Sequence, residues 1–590
     1  MKSFFRFISI LLLVLCFAIA SFAQWSSDPS MNTPILTGGH SAADVVMTKD
    51  GTGGAFIVWD DLREGIKNPK IFAQHLDKKG NVLWTANGVE VSPAGLDQTL
   101  PQMTAVGDGG IIVSWEEDYR DSAFGDAFPA IFAQRIGAHG GRLWGDSALQ
   151  IAGPLPLQLF YAQSVPTACA SDGDGGAYVE WASLNYGIQD LIVTRIDSSG
   201  KTLWSSSAMN GFSTSPLLAG GYAKLRLLQN GTAGVIAAWT DVRNAFTTGV
   251  SLFAQKLDAS GARQWDTTAV ALAPKPAFLQ QQTNEVIVSD NAGGAIYAWE
   301  QSLSGSSSHG YAGHINASGN LTWITASDSL GVLVDSKTST GQENLSMVSG
   351  GNGTALLTWS DGANYAYVQK IAADGSFPWG SNPAAFAANT GGEVLTTDGN
   401  GGVVVAWVQG LQNGLNIFAQ RVNGNGQPVW SNATYATAGN PVSTTSSTFQ
   451  QKPVIISDDA GGAIVVWYDL RASSFGGPYD LYAQHIGSDG SVTKVTNQNP
   501  EMPSRFSLSQ NYPNPFNPST RIQFSVARAG HVSLIVYDVL GREVATLVNQ
   551  EMAPSTYSIT WNAAKVPSGA YFYRLQSGSD VQIKKLLLLK

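Results

Sequence analysis

The sequence predicts an all-β protein: an eight-bladed β-propeller followed by a small C-terminal β-sandwich (Ig-like) domain. Three observations predict it. Tryptophans fall on a repeating ladder, the apolar runs that end in tryptophan have no polar face, and the composition favours turns over charge.

Of the 17 tryptophans, 16 belong to the ladder. Eight end a short apolar run: Trp59, Trp115, Trp181, Trp239, Trp299, Trp359, Trp407 and Trp467. Seven follow these by 20 to 29 residues: Trp84, Trp144, Trp204, Trp265, Trp323, Trp379 and Trp430. Trp25 is the sixteenth, and Trp561 lies outside the repeat. Self-similarity at such a period, built on β-rich units, marks a propeller or a related array.

Each unit opens with a turn and a strand, as in Asp50-Gly-Thr-Gly-Gly-Ala-Phe-Ile-Val-Trp59 or Asp458-Asp-Ala-Gly-Gly-Ala-Ile-Val-Val-Trp467. Asp or Asn stands nine residues before the Trp in six units: Asp50, Asp172, Asn230, Asp290, Asp398 and Asp458. Glycines then supply positive φ. Asp172-Gly-Asp174-Gly resembles part of a calcium loop, but such loops need more oxygen ligands and a closing carboxylate. We expect neither metal nor cofactor. The run before each Trp is apolar at consecutive positions, the pattern of a strand buried on both sides.

A second strand follows, such as Ile417-Phe-Ala-Gln-Arg421-Val422. One of its positions is basic in all eight units: His75, Arg135, Arg195, Lys256, His314, Lys370, Arg421 and His485. A residue type present in every unit serves the repeat, since one ligand site has no use for eight copies. The basic ring is therefore expected to be one ion pair or hydrogen bond repeated, and the Trp ladder inter-blade core. Asp60, Asp61 and Arg63, with Asp241 and Arg243, and Asp469 and Arg471, suggest a further structural Asp–Arg pair.

The eighth unit lacks a second Trp, and Trp25 stands 34 residues before Trp59. Elsewhere a second Trp precedes the next first Trp by 28 to 37 residues. The mature N-terminus is therefore expected to complete the eighth blade and remove the exposed edges. A seven-bladed ring with one irregular unit is the alternative.

The ends carry separate information. Lys2 and Arg6, the apolar stretch from Ile8 to Ala20 and Ser21-Phe22-Ala23 read as a signal peptide over residues 1–23. The apolar run is too short to span a membrane, and Leu15 before Cys16 does not fit a lipoprotein site. The propeller is assigned to residues 24–496 and a polar linker to 497–504. Once the leader is gone only Cys169 remains, so no intramolecular disulfide forms. Net charge is −10 and only 13% of residues are charged, which disfavours nucleic acid and anionic membranes as partners.

Residues 505–590 contain Asn511-Tyr-Pro-Asn-Pro-Phe-Asn-Pro518, Val536-Tyr-Asp-Val-Leu-Gly-Arg542, Pro567-Ser-Gly-Ala-Tyr-Phe-Tyr-Arg574 and the ending Lys584-Lys-Leu-Leu-Leu-Leu-Lys590. By strand pattern alone this is a small β-sandwich. It also resembles the type A C-terminal sorting domain of type IX secretion substrates of Bacteroidota and related bacteria. The resemblance implies a partnership with the type IX machinery, passage through the outer membrane, removal of this domain, and a final place outside the cell or on its surface.

For function, no Gly-x-Ser-x-Gly, His-Glu-x-x-His or nucleotide-phosphate loop occurs. The reading is a monomeric, non-catalytic module binding an extracellular glycan or protein. The alternative is a glycoside hydrolase or polysaccharide lyase, which needs paired carboxylates. Candidate site residues should break the repeat. Glu180, before Trp181, would face either blade packing, where burial raises its pKa, or the rim, and a rim position beside a basic residue is the favoured reading. The connection after Trp115 is the longest of its kind and joins Glu116, Glu117, Asp118 and Asp121 to Tyr119, Phe124 and Phe128, a mixture suited to sugars.

Overall fold

A computed structural model describes residues 25–492 and 506–589, apart from 66–67, 96, 121–126, 154–166, 186–187, 213–224, 230–233, 242–250, 267, 274–281, 303–307, 324–330, 336–340, 362–364, 381–382, 389, 412–413, 432–438, 446–448, 473–476, 509, 512–513, 515, 517, 527–529, 553–554, 564 and 579. The signal peptide and the 497–504 linker lie outside the described residues. The chain divides into two compact units, residues 1–494 and 495–590.

The first unit is all-β and propeller-like. Among the described residues it holds eight four-stranded antiparallel sheets. In the first sheet the order is Ala42–Lys49, Ala55–Asp61, Lys70–Leu76, Val89–Glu90. The second strand is buried at all seven positions, as its unbroken apolar run requires. Its turn is built by Asp50, whose Oδ1 accepts the Thr52 and Gly54 amides at 2.7 and 2.8 Å. A Cβ at Gly54 would run into the Leu76 carbonyl, so only glycine closes the turn. The other Asp50 oxygen meets His75 Nε2 at 3.1 Å.

That contact recurs between Arg195 and Asp172, His314 and Asp290, Arg421 and Asp398, and His485 and Asp458, at 2.8–3.0 Å. In the second sheet the partner of Arg135 is Asp108, at 2.7 Å, seven residues before Trp115 rather than nine. Lys256 and Lys370 instead reach the Gly293 and Gly401 carbonyls of the following sheet, at 2.8 and 3.0 Å. The basic ring is thus occupied by the repeat itself.

The first strands of successive sheets are Ala42–Lys49, Gln98–Ala105, Thr167–Ser171, Leu225–Gln229, Gln282–Ser289, Gln342–Gly351, Thr390–Thr397 and Gln450–Ser457. Each lies against the next, and the eighth lies against the first. The second tryptophans link the same neighbours at the outer strands. The indoles of Trp84, Trp144, Trp204, Trp265, Trp323, Trp379 and Trp430 each donate to a turn carbonyl of the following sheet at 2.8–3.2 Å.

Trp25 makes the equivalent bond from the eighth sheet to the first, donating to Lys78 O at 3.0 Å, and is fully buried. The fourth strand of the eighth sheet is Thr33–Leu36, paired with Asp480–Ile486. The N-terminal segment therefore completes the last sheet, as the Trp25 spacing predicts.

The second unit contains a three-stranded sheet, Ser507–Leu508, Ser519–Val526 and Ser555–Asn562, and a four-stranded sheet in the order Glu543–Met552, Gly530–Tyr537, Gly569–Ser577, Asp580–Leu588. Both contribute to one core that includes Phe524, Leu534, Val536, Trp561, Tyr573 and Leu586. The Asn-Pro-Phe segment adds to it. Phe516 is buried and exchanges backbone hydrogen bonds with Leu587 and Leu589, both at 3.0 Å. The Asn511 amide donates to Tyr573 Oη at 2.8 Å. Among the described residues no helix is long and apolar enough to cross a membrane.

Candidate functional site

The residues after Trp115 do not begin a loop. Strand Ile111–Arg120 pairs with Ala127–Ile136 up to Arg120↔Ala127, so the long connection is a hairpin arm. Glu116 and Glu117, expected in the connection after Trp115, are buried in the strand at 4% and 5% exposure. Glu117 has a structural counterpart in other sheets. In four sheets the indole of the first Trp meets an acceptor two residues on. Trp59 donates to Asp61, Trp407 to Gln409 and Trp467 to Asp469, all at 3.0 Å, and Trp115 approaches Glu117 Oε2 at 3.4 Å. Glu117 also fills the space a Cβ at Gly95 would take.

Asp61 and Asp469 additionally hold Arg63 and Arg471 at 2.6 Å, so the Asp–Arg pair involves the second acid of Asp60-Asp61. Glu116 shares its register with Asp60 and Glu300, and Glu300 Oε1 accepts the Leu345 amide of the next sheet at 3.0 Å. Beyond this buried pair, Asp118 sits opposite Pro129 and Tyr119 opposite Phe128. Asp121 and Phe124 lie outside the described residues.

Glu180 is not at a rim. It is fully buried, opposite Ala168 and Val193, where other sheets carry Val58, Ser114, Ala238, Ala298, Thr358, Ala406 and Val466. No hydrogen bond of ordinary length reaches either carboxyl oxygen among the described residues, the donor nearest to hand being the Arg226 amide. Burial pushes its pKa well above the usual carboxylate range, and the positive charge of Arg226 offsets this only in part. The folded state thus holds a proton that the unfolded chain releases near its ordinary value, so stability falls as pH rises above that value. Glu180→Val, which restores the residue of the first and last sheets, should stabilise the protein by about 1–3 kcal/mol. The gain should be larger at pH 8 than at pH 5. Urea melts at the two values check both the sign and the trend.

A carboxyl pair that sequence reasoning missed lies where the eighth sheet meets the first. Asp60 is pushed up to about 9, by burial first and then by Asp44, to which it is hydrogen-bonded. Tyr468 Oη beside them accepts the Val45 amide at 3.0 Å. Asp60 was legible only as part of the Asp–Arg signature, because nothing in the spacing marks Asp44 as its neighbour.

Residues 510–589 match the family described as the secretion system C-terminal sorting domain. This is the sorting domain of type IX secretion. The protein is exported to the cell surface or the extracellular space. The type IX machinery is thereby the partner of its C-terminal unit. No curated protein matches the chain.

Solved structures similar to the exported protein include an α-L-arabinanase of Penicillium chrysogenum at 13% identity and a TM-score of 0.34, covering 65% of this chain and 92% of that one. A GH93 α-L-arabinofuranosidase of Fusarium graminearum has 12% identity and a TM-score of 0.33, covering 67% and 96%. A PL25 ulvan lyase has 9% identity and a TM-score of 0.41, covering 80% and 98%. No activity is carried over from them.

Proposed function

We propose that the eight repeated sheets form a closed eight-bladed β-propeller, that the C-terminal unit is an Ig-like sandwich, and that the propeller is a monomeric, non-catalytic module binding an extracellular glycan or protein. The closed succession of first strands and the eight equivalent indole bonds support the blade count. One observation carries the binding reading. The Ile111–Arg120 hairpin extends past its buried anchor, Glu116 and Glu117, through Asp118 and the Tyr119↔Phe128 pair to Arg120, one residue farther past its Trp than the second strands of the third and seventh sheets. A rigid scaffold with a variable extension is a common way to build a binding site.

The test separates anchor from arm. Asp118→Ala with Tyr119→Ala should abolish ligand capture on a glycan array or an extracellular-protein array. Its melting behaviour should stay within about 0.5 kcal/mol of wild type. Glu117→Ala should instead cost about 1–3 kcal/mol, since it strips a buried indole of its acceptor. Unchanged capture by the double variant would move the site elsewhere.

The second reading, a hydrolase or lyase, is favoured by the Asp44–Asp60 pair, whose two carboxyls sit in unlike environments. Their direct hydrogen bond is closer than the roughly 5–9.5 Å that glycosidases keep between catalytic carboxyls. That closeness does not suit two separate catalytic roles, so the binding reading stands first.

A further inference from the structure

The four-stranded sheet of the C-terminal unit packs one face into the core, through Leu534, Val536, Tyr573, Leu575, Leu586 and Leu588. The residues that alternate with these point the other way. In an antiparallel sheet covered on one side such positions are normally polar. Here three adjacent strands carry apolar side chains at them. Phe572, Val581 and Ile583 are 37%, 43% and 57% exposed, and Ile535, Tyr537 and Leu587 are half-buried.

Strand pairing sets these side chains in rows. Ile535, Arg574 and Ile583 stand side by side across three strands. Tyr537, Phe572 and Lys585 form the row on one side of them, and Ser533, Gln576 and Val581 the row on the other. Directly opposite residues lie about 4.5–5.5 Å apart, so the rows make one surface. The turn that continues from Tyr537 exposes Val539 and Leu540 at 68% and 75%. Asp538 fixes that turn, its Oδ1 accepting the Leu540 and Arg542 amides at 2.9 and 3.0 Å. Single exposed apolar residues are ordinary, whereas a contiguous patch marks an interaction surface.

The charged side chains within the three rows are both cations, Arg574 and Lys585. Arg574 Nη2 donates to Gln576 Oε1 at 2.5 Å, and no carboxylate pairs with either cation among the described residues. Residues 505–590 hold nine Lys or Arg and four Asp or Glu, a net of +5 within a chain of −10. Like charge disfavours a second copy of this face as the partner and favours an acidic one.

The backbone edge beside the face is already occupied. Along the outermost strand, Asp580–Leu588, the Leu508 amide donates to Gln582 Oε1 at 2.7 Å and Gln582 Nε2 to Phe506 O at 3.0 Å. Gln510 Nε2 donates to Lys585 O at 2.6 Å, and Asn514 Oδ1 accepts the Leu587 amide at 2.9 Å. Phe516 holds Leu587 and Leu589. A partner therefore meets side chains here, and strand addition along this edge is blocked.

We propose that the outer face of this sheet, centred on Phe572, Arg574 and Ile583, is the surface by which the type IX machinery holds the chain, through a receptor patch that is apolar at its centre and acidic at its rim. The sorting family establishes that this unit is recognised. The exposed rows, their positive charge and the sealed edge locate the contact.

Two double variants of the full chain test this in a host with the machinery. Phe572→Thr with Ile583→Thr removes the apolar centre while keeping residues that favour strands. Arg574→Glu with Lys585→Glu reverses the charge. Each should lower surface and medium protein about tenfold or more and hold the chain in the periplasm, since apolar anchors and matched charges carry such contacts. Arg574→Lys with Lys585→Arg should export close to wild type. Unchanged melting temperatures of the purified variants separate lost docking from lost folding. A photo-crosslinking amino acid in place of Ile583 should join the chain to a component of the machinery, identified by mass spectrometry, and the crosslink should vanish when Arg574→Glu and Lys585→Glu are added. Wild-type export by both double variants would overturn the proposal. Removal of residues 505–590 would still block export in that case, so the sorting assignment would stand. Crosslinks only between copies of the chain would overturn it as well. So would sedimentation of the wild-type chain, but not the charge-reversed one, with phosphatidylglycerol vesicles, which would make an anionic membrane the partner.

Discussion

Deleting residues 24–36 should collapse the stability of the repeat unit. Trp25 is fully buried against Gly80, with its indole bonded to Lys78 O. Removing a buried aromatic of this kind costs about 3–5 kcal/mol. The deletion also strips Thr33–Leu36 from the eighth sheet. With it go the Gln484 bonds to Ser26 O and Met31 O, at 3.2 and 3.4 Å, and the Arg471 bond to Asn32 Oδ1, at 2.7 Å. Against a typical total of about 5–15 kcal/mol, the sum of these losses is a large fraction of the whole. A thermal melt of the truncated and intact secreted proteins measures it, and Trp25→Ala alone should give a smaller drop in the same direction. An unchanged melting temperature would mean that the N-terminal segment does not close the ring.

The second large effect is on delivery. In a host with type IX machinery, a chain lacking residues 505–590 should accumulate in the periplasm and be absent from the surface and the medium. The matched sorting domain lies wholly within the deleted segment. The repeat unit carries its own core, so the retained protein should be folded rather than degraded. Immunoblots of cell fractions read the outcome. Surface or medium levels equal to wild type would show that export does not depend on this unit.

Much of the architecture is legible in the sequence because the repeat states it eight times. The Trp ladder, the Asp turns and the basic position each have one physical task, and the irregular spacing of Trp25 marks closure. Legibility fails where the repeat is disguised. Glu117 reads as part of a solvated acidic run, although Asp61, Gln409 and Asp469 two residues after their own tryptophans carry the signal that it is an indole acceptor. Asp108 does the work of the nine-residue turn Asp from a different spacing, so the pattern count passes over it. Glu180 reads as a rim residue because a lone acid in an apolar strand is normally solvated, and only the packing of the third sheet shows that it is not. Leu100 and Lys452 take positive φ, 56° and 48°, at register slips opposite Trp115 and Trp467, and neither residue type announces it.

The N-terminal strand that finishes the eighth sheet also sets a timetable. Ser26 and Gln484, bonded in the native state, stand 458 residues apart in the chain. The strand at the start of the repeat unit must wait for its partner near the end of that unit. Until they meet, Asp480–Ile486 presents an unpaired backbone edge, the kind of surface that recruits other chains. Joining such distant segments is slow, because loop-closure entropy is lost before any contact compensates it. For the mature protein the benefit runs the other way. On the closed-ring reading, the sheets cannot separate one by one until these two late-joined segments part.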